Sequence, residues 1–404
     1  MRVAVIFCLT SLLLACGITP KDYSNAAKLQ PVKTQLDVKL QWIVPTGDVP
    51  DYASAQLTPV VKGGNVFIAD ISGKISMLDA VNGKTIWSHT IANSITSNPG
   101  VGNDLVYIGA RNANFIALDR KNGTERWRTQ LSSVTLATPL VLKDSVIVQT
   151  IDGKVASLNA NTGKLNWTYS NPVPKLTLRG TASPIKVGDA IIVGFAAGSL
   201  VSLDVNNGEI NWTATITTPR GRTDLERLAD IDGLFQAFDN TVYVCSYQGR
   251  VAAVSVADGN IQWSRKMSSY RGLSIGNGQI YISDVADNVW ALDARTGATL
   301  WRQDKLSGRE ISAPVAVGKD VVVADFDGYI HWMSGEDGRF IARQSMKELW
   351  QDTYHPVFDT VEDERLDMET HRSVTVPPVV ANNILYIRDN TGSLAAFKAV
   401  VNSK

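Results

Sequence analysis

The chain has 404 residues, 44% of them hydrophobic, and its 39 lysines and arginines are balanced by 39 aspartates and glutamates. A net charge of zero provides no basic field to attract nucleic acid, so we expect no nucleic-acid partner. The composition is typical of a folded globular protein and excludes a disordered chain.

The first residues of the chain are typical of a secretion signal. Arg2 precedes an apolar run over residues 3–14. This run has the length of a signal-peptide core and is too short to cross a bilayer. We therefore expect residues 1–15 to be a signal peptide that is removed from the mature protein.

The signal ends in the sequence Leu-Leu-Ala-Cys-Gly at residues 13–17. This sequence resembles a bacterial lipobox, which implies cleavage before Cys16 and lipidation of its thiol. Gly17 stands where an Asp would retain a lipoprotein in the inner membrane, so the resemblance implies a lipid anchor in the outer membrane. The alternative is a plain secretion signal followed by a chance cysteine. Residues 16–38 carry no repeat and are expected to hold the lipidated cysteine and a tether.

A segment with the sequence Leu-Asp-Ala-Val-Asn-Gly-Lys-Thr-Ile-Trp, at residues 78–87, recurs in degraded form along almost the whole chain. Its tryptophan is repeated at intervals of roughly 40 residues, in Trp87, Trp127, Trp167, Trp212, Trp263 and Trp301. A seventh copy has Ala342 in that place. Repeats of this length cannot bury a core alone and indicate an array. We expect each large ring to fill the space between neighbouring repeats; stacking on a ligand is the alternative.

Each repeat reads as four short strands. In the first repeat, apolar or alternating runs at residues 60–61, 66–69, 74–79 and 85–87 are separated by turn residues. The Asn-Gly pair at residues 82–83 favours a tight hairpin turn. A four-stranded unit of this size is typical of a β-propeller blade.

The count of blades requires the two ends of the chain to meet. Seven complete blades end near residues 87, 127, 167, 212, 263, 301 and 343. Residues 379–397 supply three further strands, and residues 39–43, which include Trp42, resemble the missing fourth. We therefore predict an all-β, eight-bladed propeller of four-stranded antiparallel blades over residues 39–404. Its ring is closed by pairing of the N-terminal strand with the C-terminal blade, which removes exposed sheet edges.

Three links between blades are long: residues 170–182, 213–233 and 344–377. In an up-and-down meander they share one rim with the second turn of each blade, and loops on a rigid scaffold commonly carry binding sites. The first two links mix leucines with charged side chains, as a protein-binding patch requires. An alternative is that Arg179 pairs with Asp230 or Asp232 simply to order the loops.

The third link is acidic and is expected to be an irregular, solvated insertion between blades seven and eight. Its two histidines, His355 and His371, lack the close spacing of metal ligands, so we expect no metal there.

His89 and His331 lie in predicted strands and are expected to be structural. Cys245 is alone in the mature chain and is expected to be a buried apolar residue without a disulfide.

The lipobox, the repeat and the link motifs together resemble the BamB family of lipoproteins. The link motifs are Leu-x-Leu-Arg-Gly at residues 176–180 and Arg-Leu-x-Asp-x-Asp at residues 227–232; residues 328–332 and 336–340 also match. The resemblance implies a non-catalytic scaffold of the β-barrel assembly machinery, without a cofactor, that binds POTRA domains of BamA and assists insertion of outer-membrane proteins. It leaves open whether unfolded outer-membrane proteins also touch the propeller. The partner-binding residues it implies, including two neighbours of the second motif, are Leu176, Leu178, Arg179, Glu226, Arg227, Asp230 and Asp232.

Two other functions compete with this interpretation. A quinoprotein-type dehydrogenase shares the Trp-containing repeat, but it would need a quinone site with a metal and usually a vicinal disulfide. The sequence contains neither a Cys-Cys pair nor the His-Glu-x-x-His motif of metalloproteases. The other possibility is a propeller lipoprotein that binds a different partner in the cell envelope.

Overall fold

The protein is an eight-bladed propeller in the computed structural model, which describes residues 23–47, 57–178, 182–354 and 372–400. The first strand, β1 (Asp37–Pro45), belongs to the last blade. Blades one to seven are consecutive four-stranded antiparallel meanders, numbered from the innermost strand outwards in chain order. The predicted fold is confirmed.

The strands of the first four blades are short, with 2 residues in β6 and 6 residues in β8 as the extremes. Blade one contains β2 (Val60–Lys62), β3 (Asn65–Ala69), β4 (Lys74–Asp79) and β5 (Thr85–Thr90). Blade two contains β6 (Gly100–Val101), β7 (Leu105–Gly109), β8 (Asn114–Asp119) and β9 (Glu125–Gln130). Blade three contains β10 (Leu140–Val141), β11 (Ser145–Gln149), β12 (Lys154–Asn159) and β13 (Leu165–Ser170). Blade four contains β14 (Ile185–Val187), β15 (Ala190–Gly194), β16 (Ser199–Asp204) and β17 (Ile210–Thr215), with a 3-10 turn at Ala196–Gly198.

The remaining blades repeat this plan. Blade five contains β18 (Gln236–Phe238), β19 (Thr241–Cys245), β20 (Arg250–Ser255) and β21 (Ile261–Lys266). Blade six contains β22 (Leu273–Gly276), β23 (Gln279–Ser283), β24 (Val289–Asp293) and β25 (Thr299–Gln303). Blade seven contains β26 (Val315–Val317), β27 (Asp320–Ala324), β28 (Tyr329–Ser334) and β29 (Phe340–Ser345). Helix α1 (Met346–Tyr354) follows, and then β30 (Val379–Ala381), β31 (Ile384–Arg388) and β32 (Ser393–Val400).

The ring closes where β1 pairs antiparallel with β32, with Asp37 opposite Val400 and Pro45 opposite Ser393. Blade eight therefore has the strand order β1-β32-β31-β30. This pairing confirms the predicted closure by the N-terminal strand. It places the first and the last strands of the described chain in one sheet.

The repeated tryptophans hold neighbouring blades together. The Trp87 indole N–H in blade one donates to the carbonyl oxygen of Arg120 in blade two, at 2.9 Å. Its ring lies against Gly123, where a Cβ would come within 2.6 Å of a ring carbon. Gly123 also has φ +74°, so glycine is needed there for both space and backbone conformation. We call this contact between a tryptophan ring and a glycine of the next blade's third turn the tryptophan seat. The same seat is formed by Trp42 on Gly83, Trp127 on Gly163, Trp167 on Gly208, Trp212 on Gly259, Trp263 on Gly297 and Trp301 on Gly338. The predicted packing role of these rings is confirmed.

Ala342 breaks the series for a topological reason. A tryptophan there would need the third turn of blade eight as its seat. In blade eight, however, the outer strand is the N-terminal β1 and its neighbour is the C-terminal β32, so no turn joins them. Ala342 is instead buried in a cluster with Trp332, Met346 and Phe397.

The segment expected to be a tether is docked onto blade seven wherever the structure describes it, over residues 23–36. The Ala27 N–H donates to the carbonyl oxygen of Ser307 at 2.9 Å. The Gln35 N–H donates to the carbonyl oxygen of Ile341 at 2.7 Å. The Tyr23 ring stacks on Phe326 with centroids 3.8 Å apart. Residues 37 and 38 already belong to β1. The predicted signal peptide and Cys16 lie outside the described residues.

The third link is not irregular throughout, which corrects the expectation from its composition. It begins with α1, whose Leu349 and Trp350 pack against the cluster between blades seven and eight. The link re-enters the described chain at Arg372, whose guanidinium lies 4.4 Å from the Trp350 ring centroid and donates to the Asp389 carboxylate at 3.1 Å. His355, His371 and the acidic stretch between them lie outside the described residues.

Cys245 is fully buried in β19, as expected, and burial raises the pKa of its thiol to about 11. In the parts of the chain that the structure describes, no helix is long and apolar enough to span a bilayer.

Candidate protein-binding rim

The long links and the second turns lie on one rim of the ring. Directly after β13, the Asn171 N–H donates to the carbonyl oxygen of Gly153 in the second turn of blade three, at 2.9 Å. After β17, the Ile216 N–H donates in the same way to Gly198 of blade four, at 2.8 Å. The first long link follows β13 and the second follows β17, and because blades three and four are neighbours, the two links start side by side on this rim.

Asp230 joins these two links. One of its carboxylate oxygens accepts the N–H of Leu178 in the first link at 2.7 Å. The other accepts the N–H of Ala197, in the second turn of blade four, at 3.1 Å. Its side chain is only 1% exposed. These two hydrogen bonds from backbone N–H groups fix the first link against the second turn of blade four.

The predicted leucines differ in exposure. Leu176 is 43% exposed, whereas Leu178 is half-buried beside the Asp230 contact. Arg179 lies outside the described residues, so its alternative pairing with Asp230 or Asp232 stays a prediction. Asp232 is half-buried and lines a small cavity of about 30 Å³ together with Val173 and Thr177.

Glu226 and Arg227 brace a tight turn in the second link. The Glu226 carboxylate accepts the N–H groups of Arg222 and Thr223, and the Glu226 N–H donates to the Thr223 hydroxyl. This reciprocal pattern is that of a capping box. The hydrogen bond from the Arg222 N–H, followed by that from Thr223, lowers the pKa of the Glu226 carboxyl. Arg227 pairs with Asp224 at 2.7 Å.

The braced turn presents Leu225, which is 62% exposed and was not among the predicted site residues. Val173 and Leu234, also in the two links, are exposed as well. Their sequence signal is an apolar residue within a polar loop, and it was available in Thr-Asp-Leu-Glu at residues 223–226. The rim therefore combines apolar side chains with charged neighbours over two adjacent links.

A second polar cluster, in blade seven, is buried and structural. The Asp325 carboxylate accepts hydrogen bonds from Arg309 Nε at 2.6 Å and His331 Nε2 at 2.9 Å. Arg343 Nε donates to His331 Nδ1 at 3.1 Å. Because arginine can only donate, Nδ1 must be the acceptor and Nε2 must carry the hydrogen, so His331 is neutral.

Burial and hydrogen bonding together set the ionisation of this cluster. Burial lowers the pKa of His331, against the opposing effect of the Asp325 carboxylate. Burial alone would raise the pKa of Asp325, but the hydrogen bonds from His331 and Arg309 outweigh it and hold that pKa below its usual value. The structural role predicted for His331 is confirmed. Among the side chains that the structure describes, no group of three or more His, Cys, Asp or Glu is arranged to hold a metal ion.

Comparison with known proteins agrees with this architecture. A family model described as outer membrane protein assembly factor BamB matches residues 29–99 and 71–303. The outer membrane protein assembly factor BamB of Pseudomonas aeruginosa is 34% identical over 394 residues, which cover 98% of each chain. The crystal structure of BamB from Moraxella catarrhalis is similar with a TM-score of 0.77 at 26% identity, covering 90% of this chain and 100% of that chain.

A quinohemoprotein alcohol dehydrogenase from Comamonas testosteroni is also similar, with a TM-score of 0.68 over 89% of this chain and 76% of that chain. At 12% identity, this likeness shows the fold alone. Fold and repeat together define the protein as an eight-bladed propeller of PQQ-like repeats. The chain belongs to the BamB family of outer membrane protein assembly factors.

Proposed function

We propose that this chain is a non-catalytic scaffold lipoprotein of the β-barrel assembly machinery, and that its rim binds POTRA domains of BamA during insertion of outer-membrane proteins. The observation that carries the proposal is the joining of the two links by Asp230. A buried carboxylate holds the first link in place, and the neighbouring exposed leucines are presented on a rigid support.

The rim has the composition of a protein interface. Apolar anchors such as Leu176 and Leu225 are partly exposed, and each gains at most about 1.5–3 kcal/mol when a partner covers it completely. Charged residues of the two links, among them Arg179 and Asp232, supply the specificity of a polar border. Asp230 supports the rim by holding the first link in place, and its carboxylate is already occupied by backbone N–H groups.

The proposed anchor is a lipid on Cys16 in the outer membrane, with the propeller on the periplasmic side. The lipobox supports lipidation of Cys16. The relatives are named as outer membrane protein assembly factors, which supports a location at the outer membrane. These relatives are named as assembly factors, whereas the dehydrogenase shares only the fold; this favours a scaffold over an enzyme.

The direct test is a pull-down of purified BamA POTRA domains by the mature chain from residue 17 onwards. The double variant Leu176→Ala with Arg179→Ala should lose at least about 2 kcal/mol of binding free energy, as interface anchors do, and should keep the wild-type circular dichroism spectrum.

Leu165→Ala is the control, because Leu165 is also an exposed leucine and lies on the outer strand of blade three, away from the links. It should bind like wild type. Failure of the wild-type chain to capture POTRA domains would refute the proposed partner, and equal losses in the control would refute the assigned rim.

A further inference from the structure

A separate cleft opens between blades four and five, under the second link. Its volume is about 440 Å³, within the range of ligand-binding pockets. One wall is the end of β17 and the residues after it, and the other is formed by the second turn of blade five and the end of β21. The residues that matter for its chemistry are Thr215, Thr217, Arg220, Glu226, Arg250 and Lys266.

The lining of this cleft is strongly cationic. Arg220, Arg250 and Lys266 contribute three positive charges against the one negative charge of Glu226. The Glu226 carboxylate is engaged by the N–H groups of its own turn, as described above. Within the residues described, none of the three cations forms an ion pair. Among the described side chains and backbone groups, the Arg250 guanidinium donates only to the hydroxyl of Ser264, at 3.0 Å.

Strand register makes this arrangement costly. Arg250 and Lys266 are directly opposite each other on β20 and β21, and like charges in that position destabilise a sheet. The corresponding pairs in blades one and three place a single cation opposite a hydroxyl, as Lys74 opposite Thr90 and Lys154 opposite Ser170. Blade five therefore departs from the repeat by adding a second, uncompensated cation at the mouth of the cleft.

We propose that this cleft binds an acidic peptide segment of a protein partner. Arginine presents planar pairs of donors that match carboxylates, and the threonine hydroxyls on the opposite wall can donate to the same groups. A carboxylate between Arg250 and Lys266 would relieve their mutual repulsion. The cleft is concave and roofed by a link, so it suits an inserted side chain better than a flat membrane surface. The inference goes beyond the proposed function, because it does not depend on whether the rim binds POTRA domains.

The test measures fluorescence anisotropy of a labelled hexaglutamate peptide with the mature chain at low ionic strength. The peptide should bind, and a hexaglutamine peptide should bind at least about tenfold more weakly, because the recognised groups are carboxylates. The double variant Arg250→Gln with Lys266→Gln should weaken hexaglutamate binding by about tenfold or more, and added salt should weaken it further.

The matched control is Lys74→Gln with Lys154→Gln, which removes the same net charge from equivalent positions of β4 and β12. It should bind the peptide like wild type. Equal binding of both peptides, equal losses in the two double variants, or no binding of hexaglutamate would overturn the proposal. A further contradicting result concerns lipid. If phosphatidylglycerol vesicles bind to the wild-type chain but not to the cleft variant, and hexaglutamate does not bind, the cleft recognises lipid and the proposal is wrong.

A second readout concerns stability without any ligand. Arg250→Gln alone should raise the midpoint of thermal unfolding, because it removes the like-charge pair, whereas Lys154→Gln should not. A lower midpoint for Arg250→Gln would show that the two cations are not in conflict, and the argument from register would fail.

Discussion

Two neighbouring contacts of the ring are built differently: blade six meets blade seven through a tryptophan, and blade seven meets blade eight without one. In the first contact, the Trp301 indole donates to the carbonyl oxygen of Gly335 at 2.8 Å and its ring lies on Gly338. In the second, Ala342 occupies the equivalent position, and Met346 and Trp350 of helix α1 pack between the blades.

The difference shows that the repeated tryptophan serves the contact between two neighbouring blades. It is therefore not a requirement of the strand that carries it. Its seat is the third turn of the next blade, and that turn exists only where the chain runs continuously from the third strand to the fourth. Blade eight is assembled from both ends of the chain and has no such turn. The space is filled there by other side chains. Two measurements can test this account, and a third tests the polar cluster of blade seven.

The largest effect is expected from removing a seated ring. Trp301→Ala should lower the free energy of unfolding by about 3–5 kcal/mol, because it leaves a cavity and an unpaired carbonyl between blades six and seven. Chemical denaturation of both proteins measures the difference. Leu300→Ala, one position earlier and largely exposed, is the control and should change stability by at most about 0.5 kcal/mol. Equal costs at the two positions would show that the seat contributes little.

A smaller effect is expected from completing the repeat. Ala342→Trp restores the consensus residue but should destabilise the protein by about 1–3 kcal/mol, since a buried position with no seat would be overpacked. The same denaturation experiment measures it. An increase in stability would mean that blade eight can seat a tryptophan without a third turn, and our explanation of Ala342 would be wrong.

The smallest effect is expected from titrating the polar cluster of blade seven. His331 is neutral when folded and has a lowered pKa, while an unfolded histidine takes up a proton below about pH 6.5. Its contribution to stability is therefore complete above that pH and is lost as the pH falls below it. The lowered pKa of Asp325 acts only at lower pH, below its ordinary value of 3.8.

We expect the thermal unfolding midpoint of the wild-type chain to fall between about pH 7 and about pH 5, and His331→Gln to remove part of that slope. His89→Gln changes a histidine in β5 of blade one and should keep the wild-type slope. A wild-type midpoint that is independent of pH in this window, or an unchanged slope in His331→Gln, would contradict the assignment.

The blades were predictable because their signals are local. Each Asn-Gly or related turn, with its flanking strands and tryptophan, lies within one repeat, and Trp42 marked the displaced strand of blade eight. The docking of residues 23–36 was not predictable, because that segment carries no repeat and its partners, such as Ser307, lie far along the chain.

The rim was predictable as a location but not in its details. The motif at residues 227–232 marked Asp230, yet the sequence alone does not distinguish an acid that faces a partner from one that holds backbone N–H groups. The cationic cleft escaped prediction for a similar reason. Arg250 and Lys266 are 16 positions apart, and only the register of β20 with β21 makes them neighbours.

The pairing of β1 with β32 also has a consequence for the order of folding. Asp37 lies opposite Val400, so the first strand to be synthesised must wait for the last before it finds its partner. Contacts between residues so distant in sequence form slowly, because a long loop must close first. Blades one to seven can thus form an open arc before blade eight is complete, and loss of β32 would leave the edges of β1 and β31 free to pair with another chain.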